Sequence, residues 1–325
     1  MNFQEYKVVR EKILEECSPL RLDCMNPFKA MSYLRNSNAH STSVYSPQET
    51  AELLLSSLHA EEYRNLAIPT RGVRSSLTGL FKVIAQRKSE LWLPQDVYPF
   101  YWDLAKLNGI IPYSFPTLPS PEFSFLESKS PNCVVLLTNP ISPLGRFLSE
   151  KESDEILGWL AQSVDRRIII DTVYSYDFYL DPLTKKLYET GQCFITHSLS
   201  KAWLERGVFG VLLTPKSEYT TSLKVIETPN QLACSSAYNA LVSYKELPKL
   251  QQKAFTKEWD KLSPSISIIH QNFIAPLTGY FTCIEANFMD VLSLHNSLLI
   301  PASVFGSSNE NLSICTCLFN ISYTE

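Results

Sequence analysis

A carboxylate and an amine stand near the ends of two predicted strands, thirty positions apart in the sequence. Asp171 closes the apolar run Arg167–Asp171, and Lys201 closes the motif Ser198–Lys201. In an open parallel sheet, polar groups just beyond the carboxyl ends of the strands face the ligand crevice. Amines and carboxylates in such a crevice are candidates for nucleophilic and acid–base chemistry. Each residue taken alone is more often a turn residue or a solvated surface residue.

Two further polar stretches occupy comparable positions. Thr138–Gly145 follows another apolar run, and Thr70–Ser76 precedes a predicted helix. The first turn of a helix offers unpaired N–H groups and the positive end of the helix dipole, which together suit a phosphate. The sequence therefore predicts an anion site near residue 72 in addition to the amine and the carboxylate.

The elements around these residues alternate between helix and strand. Predicted helices cover Pro47–Leu58, Ser76–Ala85, Pro99–Leu107 and Glu150–Gln162. Predicted strands cover Leu91–Leu93, Ile110–Pro112, Cys133–Leu137, Arg167–Asp171, Phe194–Thr196 and Val208–Leu213. Continuous β-branched runs such as Ile168–Ile170 are typical of a parallel sheet covered on both faces. The pattern predicts an α/β fold with a mainly parallel central sheet.

The pattern changes after about residue 220. Helix-like stretches surround Leu241 and Phe255, and strand-like stretches follow at Ile266–Ile269, Gly279–Ile284 and Ser313–Phe319. We expect a large domain over 45–220 and a smaller α+β domain over 221–325. The N-terminal segment, 1–44, is expected to pack with the small domain.

Composition excludes several classes of partner. Lys and Arg number 29 against 33 Asp and Glu, a net charge of −4 without long runs of one sign, which argues against nucleic acid or an anionic membrane surface. No window approaches the roughly 20 apolar residues of a membrane span. The eight cysteines lie in apolar surroundings without metal-ligand spacing, which favours reduced thiols in a cytoplasmic protein and no metal site.

The ordered set of motifs resembles the class I/II aminotransferases, which are fold-type-I pyridoxal-phosphate enzymes. The family pattern is similar to Asn139–Gly145, then Asp171–Tyr174, then Ser198–Lys201. Leu93–Tyr101 resembles the family's aromatic segment, and Pro276–Phe281 resembles its entry to the small-domain strands. The resemblance covers roughly residues 65–285. It implies an active site between the two domains, completed by a second subunit in a homodimer.

The resemblance also implies roles for individual residues. Lys201 would form a Schiff base with the cofactor aldehyde and move a proton between the substrate's α-carbon and the cofactor. Asp171 would keep the pyridine nitrogen protonated, and Tyr174 would donate to the phenolic oxygen of the ring. The remaining implied cofactor-binding residues stack on the ring, hold the phosphate or line the turn beside the ring: Gly72, Val73, Arg74, Tyr98, Asn139, Ser142, Ser198, Ser200 and Arg206.

The sequence departs from the family at three places. Ser142 stands where the family has a second asparagine, and Phe209 stands where it has the phosphate-binding arginine. From Ser307 to Glu325 there is no Arg or Lys that could clamp the substrate carboxylate. The carboxylate is then held elsewhere, with the candidates being Arg21, Arg35, Arg71 and Arg74, or the substrate is not an ordinary α-amino acid.

These features predict a biosynthetic aminotransferase of amino acid metabolism that acts on an amino donor and a keto-acid acceptor. Lyase or decarboxylase chemistry on the same fold stays open, because Lys201 and Asp171 fix the cofactor and not the reaction. A non-catalytic binding or scaffold protein is a further alternative. A serine acyl-transferase of the penicillin-binding type would need a Lys-Thr-Gly strand, but Leu77–Gly79 and Leu277–Gly279 both lack the lysine.

Overall fold

A computed structural model of the chain describes residues 1–35, 44–176, 180–206, 208–216, 223 and 226–318. The helices are, in chain order, α1 (Phe3–Glu16), α2 (Pro27–Met31), α3 (Pro47–Ser57), α4 (Gly72–Arg87), α5 (Phe100–Leu107), α6 (Glu150–Leu160), α7 (Pro182–Tyr188), α8 (Leu199–Ala202), α9 (Gln231–Ser243), α10 (Leu247–Ile269) and α11 (Phe288–His295). The strands are β1 (Leu20–Arg21), β2 (Ala67–Thr70), β3 (Glu90–Pro94), β4 (Tyr113–Phe115), β5 (Cys133–Thr138), β6 (Arg167–Asp171), β7 (Cys193–Ser198), β8 (Gly210–Leu213), β9 (Phe281–Glu285), β10 (Ser297–Leu298), β11 (Ile300–Pro301) and β12 (Leu312–Thr316).

The main sheet has the strand order β2-β8-β7-β6-β5-β3-β4. Strands β4, β3, β5, β6 and β7 run parallel, and β8 runs antiparallel to both of its neighbours. Helix α5 connects β3 to β4, α6 connects β5 to β6, and α7 connects β6 to β7, as is usual for crossovers in a parallel sheet. The predicted α/β fold with a mainly parallel sheet is confirmed.

Alternate residues of the central strands enter two separate hydrophobic cores. Ile168 and Ile170 of β6 belong to the core that includes Trp159 of α6, whereas Ile169 belongs to the core that includes Phe81 of α4. Successive side chains of a strand point to opposite faces, so a strand without a polar face must be covered on both. The prediction that the apolar runs are strands of a sheet covered on both faces is therefore confirmed.

Helix starts are set by local sequence signals. Ser149 caps α6 and exchanges hydrogen bonds with Glu152 in a capping box. A second capping box, between Ser46 and Glu49, begins α3, whose first residue is Pro47. Helix α4 differs, because no described side chain caps its first turn and no acidic residue lies there. Its terminal N–H groups are thus left for another partner.

The C-terminal part combines α9, α10 and α11 with an antiparallel sheet of order β11-β12-β9. The N-terminal segment contributes β1, which pairs in parallel with β10 through Leu20 opposite Ser297 and Arg21 opposite Leu298. This pairing brings residues from both ends of the chain together. The predicted domain boundary at residue 220 lies outside the described residues.

Two strand predictions were wrong. Ile266–Ile269 forms the last turn of α10, because Trp259, Leu262 and Ile266 share one buried helix face while Ile268 is 72% exposed. Helical spacing of apolar residues over a long segment outweighs the strand preference of a short isoleucine-rich run. The strand predicted at Ile110–Pro112 begins only at Tyr113.

All eight cysteines are free thiols, of which Cys17 is exposed, two are partly buried and five are buried. Within the described ranges, no helix combines the length and the apolar character needed to cross a bilayer. The same ranges contain no group of three or more His, Cys, Asp or Glu side chains arranged to hold a metal ion.

Candidate active site

The carboxyl ends of three adjacent strands bring the predicted site residues to one edge of the sheet. In the β5–β6 pair, Thr138 lies opposite Asp171, and in the β6–β7 pair, Asp171 lies opposite Thr196. Ser198 ends β7, and Lys201 follows it in the short helix α8. The register of parallel strands therefore places Asp171 and Lys201 at neighbouring strand ends, although they are thirty positions apart.

A cavity of about 950 Å³ opens at this edge. Ten of the twelve residues predicted from the sequence line it: Gly72, Val73, Arg74, Tyr98, Ser142, Asp171, Tyr174, Ser198, Ser200 and Lys201. Its volume is within the range of small-molecule and cofactor sites. The cavity thus joins an amine, a carboxylate and a helix N-terminus in one space.

Asp171 is the buried acid at the strand ends, with 2% of its surface exposed. The Tyr101 hydroxyl donates to its Oδ2 at 2.5 Å, and the Val173 N–H donates to its Oδ1 at 2.9 Å. Burial raises the pKa of Asp171 to about 6, and these two hydrogen bonds oppose the rise. The carboxylate is therefore held in a fixed position where a cationic partner would favour its charged form.

Lys201 is the largely buried amine of the cavity. Its Nζ lies 5.7 Å from the centroid of the Tyr174 ring. Burial, together with the positive charge of Arg74, lowers the pKa of the amine. A lysine with a lowered pKa carries a larger neutral fraction, which is the form that acts as a nucleophile or a base.

The N-terminus of α4 approaches the β7–β8 pair closely because the contact is made by two glycines, Gly72 of α4 and Gly210 of β8. Gly72 has a φ of +75°, and a Cβ at Gly210 would lie 2.3 Å from the carbonyl oxygen of His197 and 3.0 Å from the Cα of Gly72. Beside them the Ser198 and Ser200 hydroxyls are hydrogen-bonded at 2.8 Å. The uncapped first turn, two hydroxyls and Arg74 form an arrangement suited to a phosphate.

Tyrosines of the aromatic segment and of the Asp171–Tyr174 motif are among the aromatic residues that line the cavity. Tyr174 packs edge-on against Phe281, with ring centroids 5.0 Å apart, and burial raises the pKa of its hydroxyl. Tyr98 is 44% exposed, and its hydroxyl accepts a hydrogen bond from Arg74 at 3.2 Å. Tyr101 is buried and engages Asp171. Tyr98 and Tyr101 are one helical turn apart, yet they differ in exposure and in polar partner.

Two predicted cofactor-binding residues do not line the cavity. The Asn139 side chain donates to Asp181 at 3.0 Å and to Thr184 at 2.8 Å, and it accepts from the Leu148 N–H, so it anchors the start of α7. The exposed Arg206 guanidinium lies 5.6 Å from the centroid of the Phe28 ring. The contact partners of both side chains lie outside the cavity lining.

The cavity also includes residues that the sequence analysis did not assign to it. Tyr101 ends the aromatic segment Leu93–Tyr101, and its hydrogen bond to the buried Asp171 is visible only in three dimensions. Arg10 and Asp23 of the N-terminal segment line the cavity, next to Arg21, which the sequence analysis names as a candidate for the substrate carboxylate. No local motif marks these N-terminal residues, because the β1–β10 pairing brings them to the site.

Comparison with known families and proteins identifies the family and the fold. Residues 29–298 match the family described as aminotransferase class I and II. The chain is 29% identical over 167 residues to the histidinol-phosphate aminotransferase of Rhodopirellula baltica, a match that covers 50% of this chain and 44% of that protein. The chain thus spans less than half the length of this curated relative in the matched region.

Solved structures with a similar fold include alanine aminotransferase from Pyrococcus furiosus, with a TM-score of 0.71, 17% identity and coverage of 95% of this chain and 90% of that one. The PLP-bound C-S lyase from Staphylococcus hominis has a TM-score of 0.71 at 14% identity, with 92% and 86% coverage. Aspartate aminotransferase from Thermotoga maritima has a TM-score of 0.68 at 15% identity, with 96% and 91% coverage. The TM-scores show a shared fold, and at these identities they show the fold alone.

Proposed function

Because the chain belongs to the class I and II aminotransferase family, we propose that it is a pyridoxal-phosphate-dependent aminotransferase with Lys201 as the residue that attaches the cofactor. The observation that carries this proposal is one cavity that holds the Lys201 amine, the Asp171 carboxylate and the uncapped N-terminus of α4. Family membership alone would not require all three groups to be retained together.

The residues of the cavity fit the cofactor. The N–H groups of Gly72, Val73 and Arg74 and the hydroxyls of Ser198 and Ser200 would hold its phosphate. A side chain larger than hydrogen at Gly210 would disturb the contact between β8 and α4, so the close approach exists only with glycine there. Asp171 would bind the ring nitrogen, and Tyr174, Ser142 and Tyr98 would contact the rest of the ring.

When bound, pyridoxal phosphate supplies an electron sink that stabilises negative charge at the α-carbon of the substrate. Lys201 takes up and returns the proton at that carbon, and its lowered pKa keeps part of the amine neutral for this purpose. Asp171 maintains a positive charge at the ring nitrogen, since a carboxylate raises the pKa of a cationic neighbour. Tyr174 orients the ring through its hydroxyl.

The substrates in this proposal are an amino donor and a keto-acid acceptor, which places the protein in amino acid metabolism. Elimination is the second candidate, because the PLP-bound C-S lyase from Staphylococcus hominis shares the fold. Lys201 and Asp171 would serve both reactions. We further propose a cytoplasmic homodimer; the five buried free thiols and the family resemblance support these two statements respectively.

A donor screen tests the proposal. Purified protein loaded with pyridoxal phosphate is incubated with single amino acids, with and without 2-oxoglutarate or pyruvate, and new amino acids, keto acids and ammonia are quantified. Transamination requires an acceptor and releases no ammonia, whereas elimination releases ammonia without an acceptor. A protein that neither retains the cofactor nor turns over any donor would be a non-catalytic relative. Light scattering on the loaded protein measures the oligomeric state.

A further inference from the structure

The end of the cavity formed by the N-terminal segment carries a cluster of charged residues that the proposed cofactor site does not use. Arg10 of α1, Arg21 of β1 and Asp23 all line the cavity. The Nε of Arg10 lies 2.5 Å from Oδ2 of Asp23, and the Nε of Arg21 lies 2.6 Å from Oδ1. One carboxylate is therefore shared by two guanidinium groups.

Burial makes the charge of this cluster significant. The side chain of Asp23 is fully buried, and those of Arg21 and Arg10 are 13% and 30% exposed. Two guanidinium groups face one carboxylate in surroundings of reduced dielectric, and Lys7 lines the same end of the cavity. Charge taken out of water is costly unless a partner of opposite sign balances it. The cluster is thus suited to an incoming anion.

The charges over the whole cavity lining also favour an anionic ligand. Its lining has six cationic side chains and two carboxylates: Lys7, Arg10, Arg21, Arg71, Arg74 and Lys201 against Asp23 and Asp171. Arg71 is paired with Glu227, which lies outside the lining, at 3.1 Å. The cofactor phosphate would use Arg74, at the α4 end. The positive charge at the N-terminal end therefore favours a second anionic group there.

The other arginines considered from the sequence are placed less favourably for this purpose. Arg35 is paired with Glu205 and donates to the Leu204 carbonyl oxygen, and it does not line the cavity. Arg71 is exposed and bound to Glu227, and Arg74 bonds Tyr98 beside the proposed phosphate site. Over the described residues 307–318 there is no Arg or Lys.

We propose that Arg10 and Arg21, oriented by Asp23, form a subsite that binds an anionic group of the substrate. This inference rests on the proposed function and assigns its substrate class: the amine carries a carboxylate or a phosphate, and simple uncharged or cationic amines are excluded. Asp23 fixes two guanidinium groups at one position, because Arg21 binds it through Nε and Nη2 and Arg10 binds it through Nε. The guanidinium N–H groups that do not bind Asp23 are charged donors of the kind that recognise carboxylates and phosphates. Ile300, Val304 and Phe305 supply an apolar wall of the same cavity.

Unreactive probes test this subsite without turnover. Calorimetry on the cofactor-loaded protein measures binding of 3-phenylpropionate, phenyl phosphate and the uncharged 3-phenylpropionamide. We expect the anions to bind and Arg21→Ala to weaken them by about tenfold or more, which is what loss of a charge-assisted hydrogen bond predicts. Arg10→Ala should act in the same direction, and Arg64→Ala, an exposed arginine outside the cavity lining, should have no effect.

The comparison of the two anions identifies whether carboxylate or phosphate is preferred, and a preference for either one supports the subsite. Arg21→Lys keeps the charge without the planar guanidinium group, so it should bind the anions with intermediate affinity. This variant also keeps the test valid if Arg21→Ala fails to fold. Equal binding of the amide and the anions, or unchanged affinity in both alanine variants, would overturn the inference. Borohydride trapping of cofactor on Lys201, measured by mass in the same samples, separates this failure from failure of the proposed function.

Discussion

The hydroxyl of Tyr101 donates a 2.5 Å hydrogen bond to Oδ2 of Asp171, seventy positions away in the sequence. Both residues are buried, and the opposite oxygen of Asp171 is engaged by the Val173 N–H. A carboxylate fixed at both oxygens cannot rotate freely, so its remaining lone pairs have a defined direction. Tyr101 is therefore a positioning residue for the acid that would hold the ring nitrogen of the cofactor.

Tyr101→Phe should raise the pKa of Asp171 above about 6, because the hydrogen bond from Tyr101 favours the charged carboxylate. The lost bond to a charged group corresponds to about 1.5–3 kcal/mol. Carboxyl carbon NMR of Asp171 in cofactor-free protein measures the pKa directly. Tyr176→Phe is the matched control, because that buried hydroxyl has no hydrogen-bond partner among the described residues. Equal pKa values in wild type and Tyr101→Phe would contradict the role of Tyr101.

Asp171→Asn should make the cofactor-free protein more stable at alkaline pH. Since burial raises the folded-state pKa of Asp171 from 3.8 to about 6, the charged carboxylate destabilises the fold above that pH. The stabilisation associated with the protonated form is fully present below the unfolded-state pKa and is lost as the pH rises through the folded-state pKa. The shift corresponds to about 3 kcal/mol.

Urea unfolding of wild type and Asp171→Asn measures this difference. We expect the variant to be more stable by up to about 3 kcal/mol near pH 8 and by little near pH 4. Burial also lowers the pKa of His197 to about 4, but His197 titrates in both proteins and cancels in the difference. A variant that is less stable than wild type near pH 8 would rule out desolvation of Asp171 as the dominant effect. The same variant should bind pyridoxal phosphate poorly.

The central strands could be predicted from the sequence because their signal is local. Arg167–Asp171 agrees with β6 at both ends, since an uninterrupted β-branched run needs cover on both faces wherever it lies. The strand-end positions of Asp171 and Lys201 follow from the same rule. A parallel sheet aligns its carboxyl ends, so ten predicted residues reach one cavity.

Residues whose roles depend on packing could not be predicted. Tyr98 and Tyr101 are equally aromatic and one helical turn apart, and only the fold directs Tyr101 to Asp171. Asn139 belongs to a motif typical of the site, yet its amide meets Asp181 and Thr184. Arg10 reaches the cavity through a segment that joins the C-terminal part by strand pairing. Long-range contacts of this kind produce no hydrophobic periodicity that a sequence analysis could use.

Lys201→Ala and Lys201→Arg should both abolish covalent attachment of pyridoxal phosphate. Arginine keeps a positive charge in the cavity but offers no neutral amine. Loss of attachment in both variants would therefore show that attachment needs the lysine amine and not only a positive charge. Intact mass after borohydride reduction measures attachment, and we expect activity to fall by about 100-fold or more. Lys186→Ala is the control, because Lys186 is exposed and pairs with Asp154 outside the cavity lining. Retained attachment in Lys201→Arg would show that another lysine reacts.

Gly210→Ala should weaken both the fold and the phosphate site. A methyl group there would lie 2.3 Å from the carbonyl oxygen of His197 and 3.0 Å from the Cα of Gly72, and both are backbone atoms that cannot turn aside. Overpacking of this kind destabilises by about 1–3 kcal/mol or more. Because relief of the clash must separate β8 from β7 or from the start of α4, affinity for pyridoxal phosphate should fall together with stability.

Gly158→Ala is the matched control, since Gly158 lies on the exposed face of α6 with open space around it, and alanine there should stabilise the helix by about 0.5–1 kcal/mol. Urea unfolding and cofactor titration of the two variants measure both effects. A Gly210→Ala protein that binds the cofactor as tightly as wild type would show that the close approach of α4 and β7 is not needed to hold the phosphate.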